Sequence, residues 1–172
     1  MMPPHRIFGI VGWKNSGKTT LVEALVREFT ARELRVSTIK HAHHAFDIDV
    51  PGKDSYRHRE AGAGEVLVAS RQRWALMHEL RGEDEPRLEA LLAQLSPCDL
   101  VLVEGFKRDA HPKIEVLRAL GSDGRIADTD ETVCAIATDS PALSGKHAAL
   151  PLNDVGAIAD FICARSGLEA RR

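Results

Sequence analysis

The stretch Gly12-Trp13-Lys14-Asn15-Ser16-Gly17-Lys18-Thr19 has the spacing G-x-x-x-x-G-K-[ST]. Such a loop wraps main-chain N–H groups around a polyphosphate and turns directly into a helix. Gly12 and Gly17 lack a Cβ, so the main chain can approach phosphate oxygens along a path closed to other residues. The nucleotide-binding set is then Gly12, Asn15, Ser16, Gly17, Lys18, Thr19 and Thr20. Lys18 reaches the β- and γ-phosphates, and the Thr19 hydroxyl ligates a Mg²⁺ that bridges them. Glu104 ends an apolar run and precedes Gly105, the place for a carboxylate that holds the same Mg²⁺ directly or through water; a helix-capping or surface glutamate is the plain alternative. Lys18 and Glu104 are the residues assigned catalytic roles.

A strand must enter the loop and a helix must leave it. Residues 7–11 are nearly all apolar, as in a parallel strand covered on both faces, and a helical pattern opening at Thr20 carries Leu21, Leu25 and Phe29 on one side. Residues 35–40 read as the next strand, joined by a right-handed crossover. A short helix over 55–61 follows. Residues 65–69 and 74–80 are too close for anything but an antiparallel hairpin, which predicts a mixed sheet. Pro86 opens a helix with Leu88, Leu91, Leu92 and Leu95 inward. Residues 99–105 form the most apolar strand, with further strands at 113–117, 133–137 and 148–152 and a Gly/Asp-rich loop at 121–130. Asn153-Asp154 caps a last helix with Val155, Ile158, Ala159 and Ile162 inward. The fold class is α/β, P-loop NTPase-like: a mostly parallel sheet with an antiparallel hairpin, helices on both faces, and one nucleotide-binding domain over residues 1–172.

Asp47, Asp49 and Asp54 follow the second strand, where one of them can add a metal-side oxygen. Asp54, with Ser55 behind the Pro51-Gly52-Lys53 turn, is the preferred one; solvated acids on a loop are the plain alternative. Asp139 and Asn153-Asp154 suit either nucleobase recognition or ordinary turns and caps. Structural zinc needs four ligands, and His41, His43 and His44 have no Cys or His pair elsewhere to complete them; they read as phosphate or partner contacts. Cys98, Cys134 and Cys163 lie in apolar runs without C-x-x-C spacing, as reduced core residues do.

With 23 Lys and Arg against 25 Asp and Glu, the net charge of −2 gives no field for nucleic acid or acidic membranes. No apolar stretch approaches the roughly 20 residues that span a bilayer. The expectation is a soluble, cytoplasmic chain that binds neither nucleic acid nor membrane.

Taken together, several stretches resemble the MobB family, the molybdopterin-guanine dinucleotide biosynthesis adaptors. They are Ile39-Lys40-His41 with His43-His44, Pro51-Gly52-Lys53-Asp54-Ser55-Tyr56, Ser70-Arg71-Gln72-Arg73-Trp74-Ala75-Leu76-Met77 and Val103-Glu104-Gly105-Phe106-Lys107. The resemblance implies a homodimer that binds GTP with Mg²⁺, hydrolyses it slowly and assists the nucleotidyltransferase MobA, which joins GMP to molybdopterin; molybdopterin itself is a further candidate partner. It places the phosphate role on Gly12, Gly17, Lys18 and Thr19 and the acidic metal role on Glu104. Trp13 stands where a related P-loop group has a lysine donated across a dimer, which argues against a partner-supplied lysine here. The rival readings are a small-molecule kinase or ligase on the same scaffold, with Lys40, His41, Lys107 and Arg108 in an acceptor pocket, and an interaction module with a vestigial loop. Lys18→Ala is expected to abolish GTP binding in calorimetry while leaving the circular dichroism spectrum unchanged, because the ammonium is a phosphate contact and not a core group.

Overall fold

The computed structural model describes residues 5–42, 46–119 and 124–169. In chain order the elements are β1 (Ile7–Val11), α1 (Lys18–Ala31), β2 (Val36–Lys40), α2 (Asp54–Glu60), β3 (Glu65–Ala69), β4 (Trp74–His78) and α3 (Leu88–Leu92). Then come β5 (Leu100–Glu104), β6 (Lys113–Leu117), β7 (Val133–Thr138), β8 (Ala148–Pro151) and α4 (Val155–Ser166), with 3-10 turns at Ile126–Asp128 and Pro141–Ser144. The chain divides into two units, Met1–His41 with Leu88–Arg172, and Ala42–Arg87.

In the larger unit six strands lie in the order β2-β5-β1-β6-β7-β8, and every neighbouring pair is parallel. Such a sheet needs cover on both faces. Phe8, Ile10, Leu100 and Leu102 pack with Leu21, Leu25 and Phe29 of α1 and Ile158 and Ile162 of α4. On the other face Val101, Val103 and Ile39 pack with Leu88 and Leu92 of α3, while Val11, Leu117 and Ile136 meet Ile126 and Ala127 of the first 3-10 turn. The antiparallel hairpin forms as expected, but β3 and β4 make a two-stranded sheet of their own. The main sheet is therefore not mixed. A four-residue connection dictates how two strands pair with each other and says nothing about which sheet they join.

Two charged residues of β6 are fully buried, which requires partners. Lys113 donates to the Asp130 carboxylate at 3.0 Å, to the Asp109 carbonyl at 2.5 Å and to the Thr132 hydroxyl. Breaking such a pair by removing one partner costs about 3–5 kcal/mol. The Glu115 carboxylate accepts the N–H groups of Ile126 and Ala127, each at 2.9 Å, and so anchors the first 3-10 turn beneath the sheet. Among the described residues no helix is long and apolar enough to cross a membrane.

His111 is buried, and neither ring nitrogen has a hydrogen-bond partner among the described residues. Burial, followed by the nearby Lys113 ammonium, pushes its imidazole down to about 4 from the ordinary 6.5. The unfolded chain therefore takes up a proton that the folded chain refuses. The contribution of His111 is fully present above pH 6.5 and is lost as pH falls toward about 4. Denaturant unfolding at a series of pH values is expected to show this loss in the wild type and a flatter profile between those limits in His111→Met.

Candidate functional site

β1 leads straight into the loop. Gly12 has φ +152°, and a Cβ there would stand 2.6 Å from the Ser16 hydroxyl and 2.7 Å from the Val116 carbonyl oxygen. Gly17, at φ +99°, caps α1 without a side-chain hydrogen bond, while its carbonyl accepts the first helical bond from Leu21 at 3.0 Å. The helix starts at Lys18, two residues before the expected Thr20, because the glycine itself is the cap. First-turn amides of a helix have no carbonyl within it, so those of Gly17, Lys18, Thr19 and Thr20 are left for an acceptor from outside the helix, with the positive end of the helix dipole behind them. The Ser16 hydroxyl is buried with no partner among the described residues.

Glu104 sits at the C-terminal end of β5, paired in register with Ile10 of β1 and Lys40 of β2. Its side chain is 10% exposed. The Thr19 hydroxyl donates to its Oε1 at 2.8 Å, so two of the residues assigned to the metal are brought together. The Lys40 ammonium lies 3.1 Å from that same Oε1 and donates to the Thr19 hydroxyl at 3.2 Å. Lys18 donates to the Trp13 carbonyl at 2.7 Å. Burial lowers the Lys18 pKa; Glu104 opposes that shift, and Lys107 and Lys40 add to it. Uncapped amides, an orphaned hydroxyl and an adjoining hydroxyl–carboxylate pair are the donor set a polyphosphate with a divalent cation requires; the residues fit that group.

Three further contacts brace the loop, and local sequence reading misses them. The Arg118 Nε, immediately after β6, donates to the Ser16 carbonyl at 3.0 Å. The Trp13 indole N–H donates to the Gly124 carbonyl at 2.5 Å, and Lys107 stands 4.0 Å over its ring. Position at the C-terminal end of a strand beside β1 was the available signal for Arg118. Beside it lies a cavity of about 330 Å³ lined by Leu117, Arg118, Arg125, Asp128 and Leu143, among others.

Asp139 accepts the Ala119 N–H at 3.2 Å and lies 3.9 Å from Arg118. Asp154 caps α4, accepting the Ala157 N–H at 2.9 Å. The His41 amide donates to the Glu104 carbonyl at 2.9 Å and its ring packs on Phe106; His43 and His44 lie outside the described residues. In the smaller unit, Arg59 binds Asp47, Asp49 and Glu79 at 3.0, 3.3 and 2.8 Å. The Ser55 hydroxyl donates to Asp49 at 2.7 Å, while the exposed Asp54 faces Arg57 at 4.0 Å.

Residues 7–139 match the family described as MobB, molybdopterin guanine dinucleotide synthesis protein B. The chain is 43% identical over 159 residues to the molybdopterin-guanine dinucleotide biosynthesis adapter protein of Escherichia coli K12, covering 91% of this chain and 90% of that one. With the Haemophilus influenzae adapter protein it shares 44% over 158 residues, covering 91% and 86%. Among solved structures, a crystal structure of molybdopterin-guanine biosynthesis protein B superposes with a TM-score of 0.73 at 26% identity, over 92% of this chain and 99% of that one. The MobB homolog from Bacillus stearothermophilus gives 0.70 at 27%, over 95% and 99%. A family match over residues 7–139 and 43% identity across 91% of the chain show that it belongs to the MobB family of molybdopterin-guanine dinucleotide synthesis proteins.

Proposed function

We propose that the protein binds GTP with Mg²⁺, hydrolyses it slowly, and serves as an adaptor in molybdopterin-guanine dinucleotide biosynthesis by assisting the nucleotidyltransferase that joins GMP to molybdopterin. The adaptor role is the one its relatives carry in their names. The observation that carries the nucleotide reading is the 2.8 Å contact between Thr19 and Glu104 at the foot of a helix whose glycine cap supplies no side-chain hydrogen bond. In this reading the amides of residues 17–20 bind phosphate oxygens and Lys18 leaves the Trp13 carbonyl for the terminal phosphates. Thr19 and Glu104 hold the Mg²⁺, which when bound neutralises charge on those phosphates. Asp54 as a further metal oxygen is part of the proposal and rests on sequence alone.

Slow turnover is supported by what the polar groups here are engaged in. Glu104 is occupied by Thr19 and Lys40, and Arg118 holds loop backbone. Fast P-loop enzymes have a free arginine and a group that orients the attacking water. Homodimerisation, cytoplasmic location and contact with molybdopterin belong to the same proposal. The hairpin face bearing Leu67, Leu76 and Trp74 is exposed and apolar, which supports an association of some kind.

Phosphate release from GTP and Mg²⁺ is expected below about 1 s⁻¹, under the range usual for kinases. Glu104→Gln should need more Mg²⁺ for the same GTP binding, by about tenfold if one carboxylate contact to the metal is lost. Superimposable magnesium curves would assign Glu104 a structural role. Rapid transfer of the γ-phosphate to a small molecule would replace the adaptor reading with the kinase.

A further inference from the structure

We infer that Lys40 is a tethered cation that competes with the divalent ion for the Thr19–Glu104 oxygen pair, so that metal enters the site by displacing it. The inference rests on the reading that Thr19 and Glu104 hold a divalent ion.

The geometry begins with strand register. Lys40 is the last residue of β2 and pairs directly with Glu104, the last residue of β5. Its Nζ lies 3.1 Å from Glu104 Oε1 and 3.2 Å from Thr19 Oγ1, and those two oxygens lie 2.8 Å apart. One ammonium thus touches both oxygens assigned to the metal. Mg²⁺ takes its oxygens at about 2.0–2.1 Å, so an ion bound to this pair falls in the space the ammonium faces. Two cations at that separation repel strongly in a site where one carboxylate is the shared counter-charge.

The neighbouring cations are engaged elsewhere, Lys18 on the Trp13 carbonyl and Lys107 over the Trp13 ring. Among the described residues Lys40 is the ion-pair partner of Glu104. A carboxylate only 10% exposed needs such a partner. Lys40 is equipped to leave, because its side chain is 56% exposed and a lysine stem is flexible with a compact, readily hydrated charge at its end. Metal affinity is then reduced by the fraction of molecules in which Lys40 still bridges the pair.

The test uses the full chain as wild type, Lys40→Met, Lys40→Arg and Glu104→Gln. Mn²⁺ binding is followed without nucleotide by the electron paramagnetic resonance signal of the free ion, alongside thermal midpoints in chelator and in Mn²⁺. Lys40→Met is expected to bind Mn²⁺ about 3- to 10-fold more tightly than wild type, the range a partly exposed ion pair can withhold. Its midpoint should fall in chelator and recover with Mn²⁺ more than that of wild type. Lys40→Arg keeps a competing charge and should stay near wild type, while Glu104→Gln should lose the Mn²⁺ response. Unchanged or weaker Mn²⁺ binding by Lys40→Met overturns the inference. So does an absence of binding by both proteins, since removal of the competitor should uncover the site. Binding of a fluorescent GTP analogue is measured in parallel. Its failure in wild type removes the nucleotide reading, while the Mn²⁺ comparison still decides the role of Lys40.

Discussion

The register of β5 between β1 and β2 is the constraint on which the site depends. Glu104 reaches Thr19 because it stands level with Ile10 and Lys40 at the upper edge of the sheet. A slip by one residue would turn its side chain to the opposite face. Apolar alternation does not prevent that slip, since Leu100 and Leu102 on one face and Val101 and Val103 on the other are all buried. The ends of the strand do. At the lower end the Asp99 carboxylate accepts the Arg35 N–H at 2.7 Å and the Asp99 N–H donates to the Arg35 carbonyl at 2.8 Å. At the upper end Gly105 donates to the Ile10 carbonyl at 3.1 Å and His41 to the Glu104 carbonyl at 2.9 Å. Gly105 takes φ +93°, and a Cβ there would come within 2.9 Å of the His41 Cβ, so the strand must end where it does.

That register gathers Lys18, Lys40 and Lys107 around one nearly buried carboxylate. The surplus of positive charge is unfavourable without an anion, and a group such as a polyphosphate would relieve it. The amide array of the first α1 turn works in the same direction. Binding and stability are therefore linked, and a ligand at 100 times its Kd would raise the stability of the fold by about 2.7 kcal/mol.

What was legible in the sequence depended on whether a feature's cause was local. The glycine spacing of the loop, the unbroken apolar runs of β1 and β5 and the Asp154 cap each have their cause within a few residues, and each was readable. Nothing in the sequence of residues 113–117 marks Lys113 and Glu115 as buried. They are core residues, because Asp130 and the amides of Ile126 and Ala127, 17, 11 and 12 positions along the chain, come back beneath the sheet. Arg118 meets Ser16 across 102 positions and Trp13 meets Gly124 across 111, which no local pattern encodes. The helix expected through Leu95 ends at Leu92, since Gln94 and Leu95 bond back to Leu91 and Leu92 in tighter turns.

The bracing of the loop bears on what a bound nucleotide would experience. Gly12, Asn15 and Gly17 take positive φ, a path open to glycine but costly in conformational freedom to fix, and it is held here by Arg118 on Ser16 and by Trp13 on Gly124. The conformational cost is met during folding, which leaves less to meet on binding and favours affinity. Affinity for the ground state does not by itself accelerate a reaction; only contacts that strengthen in the transition state do so. In the proposed reading Glu104, Lys40 and Arg118 are already committed to the loop and to one another. A cradle built in that way would hold a nucleotide while cleaving it only slowly, and a long-lived loaded state is what a partner enzyme would have to detect.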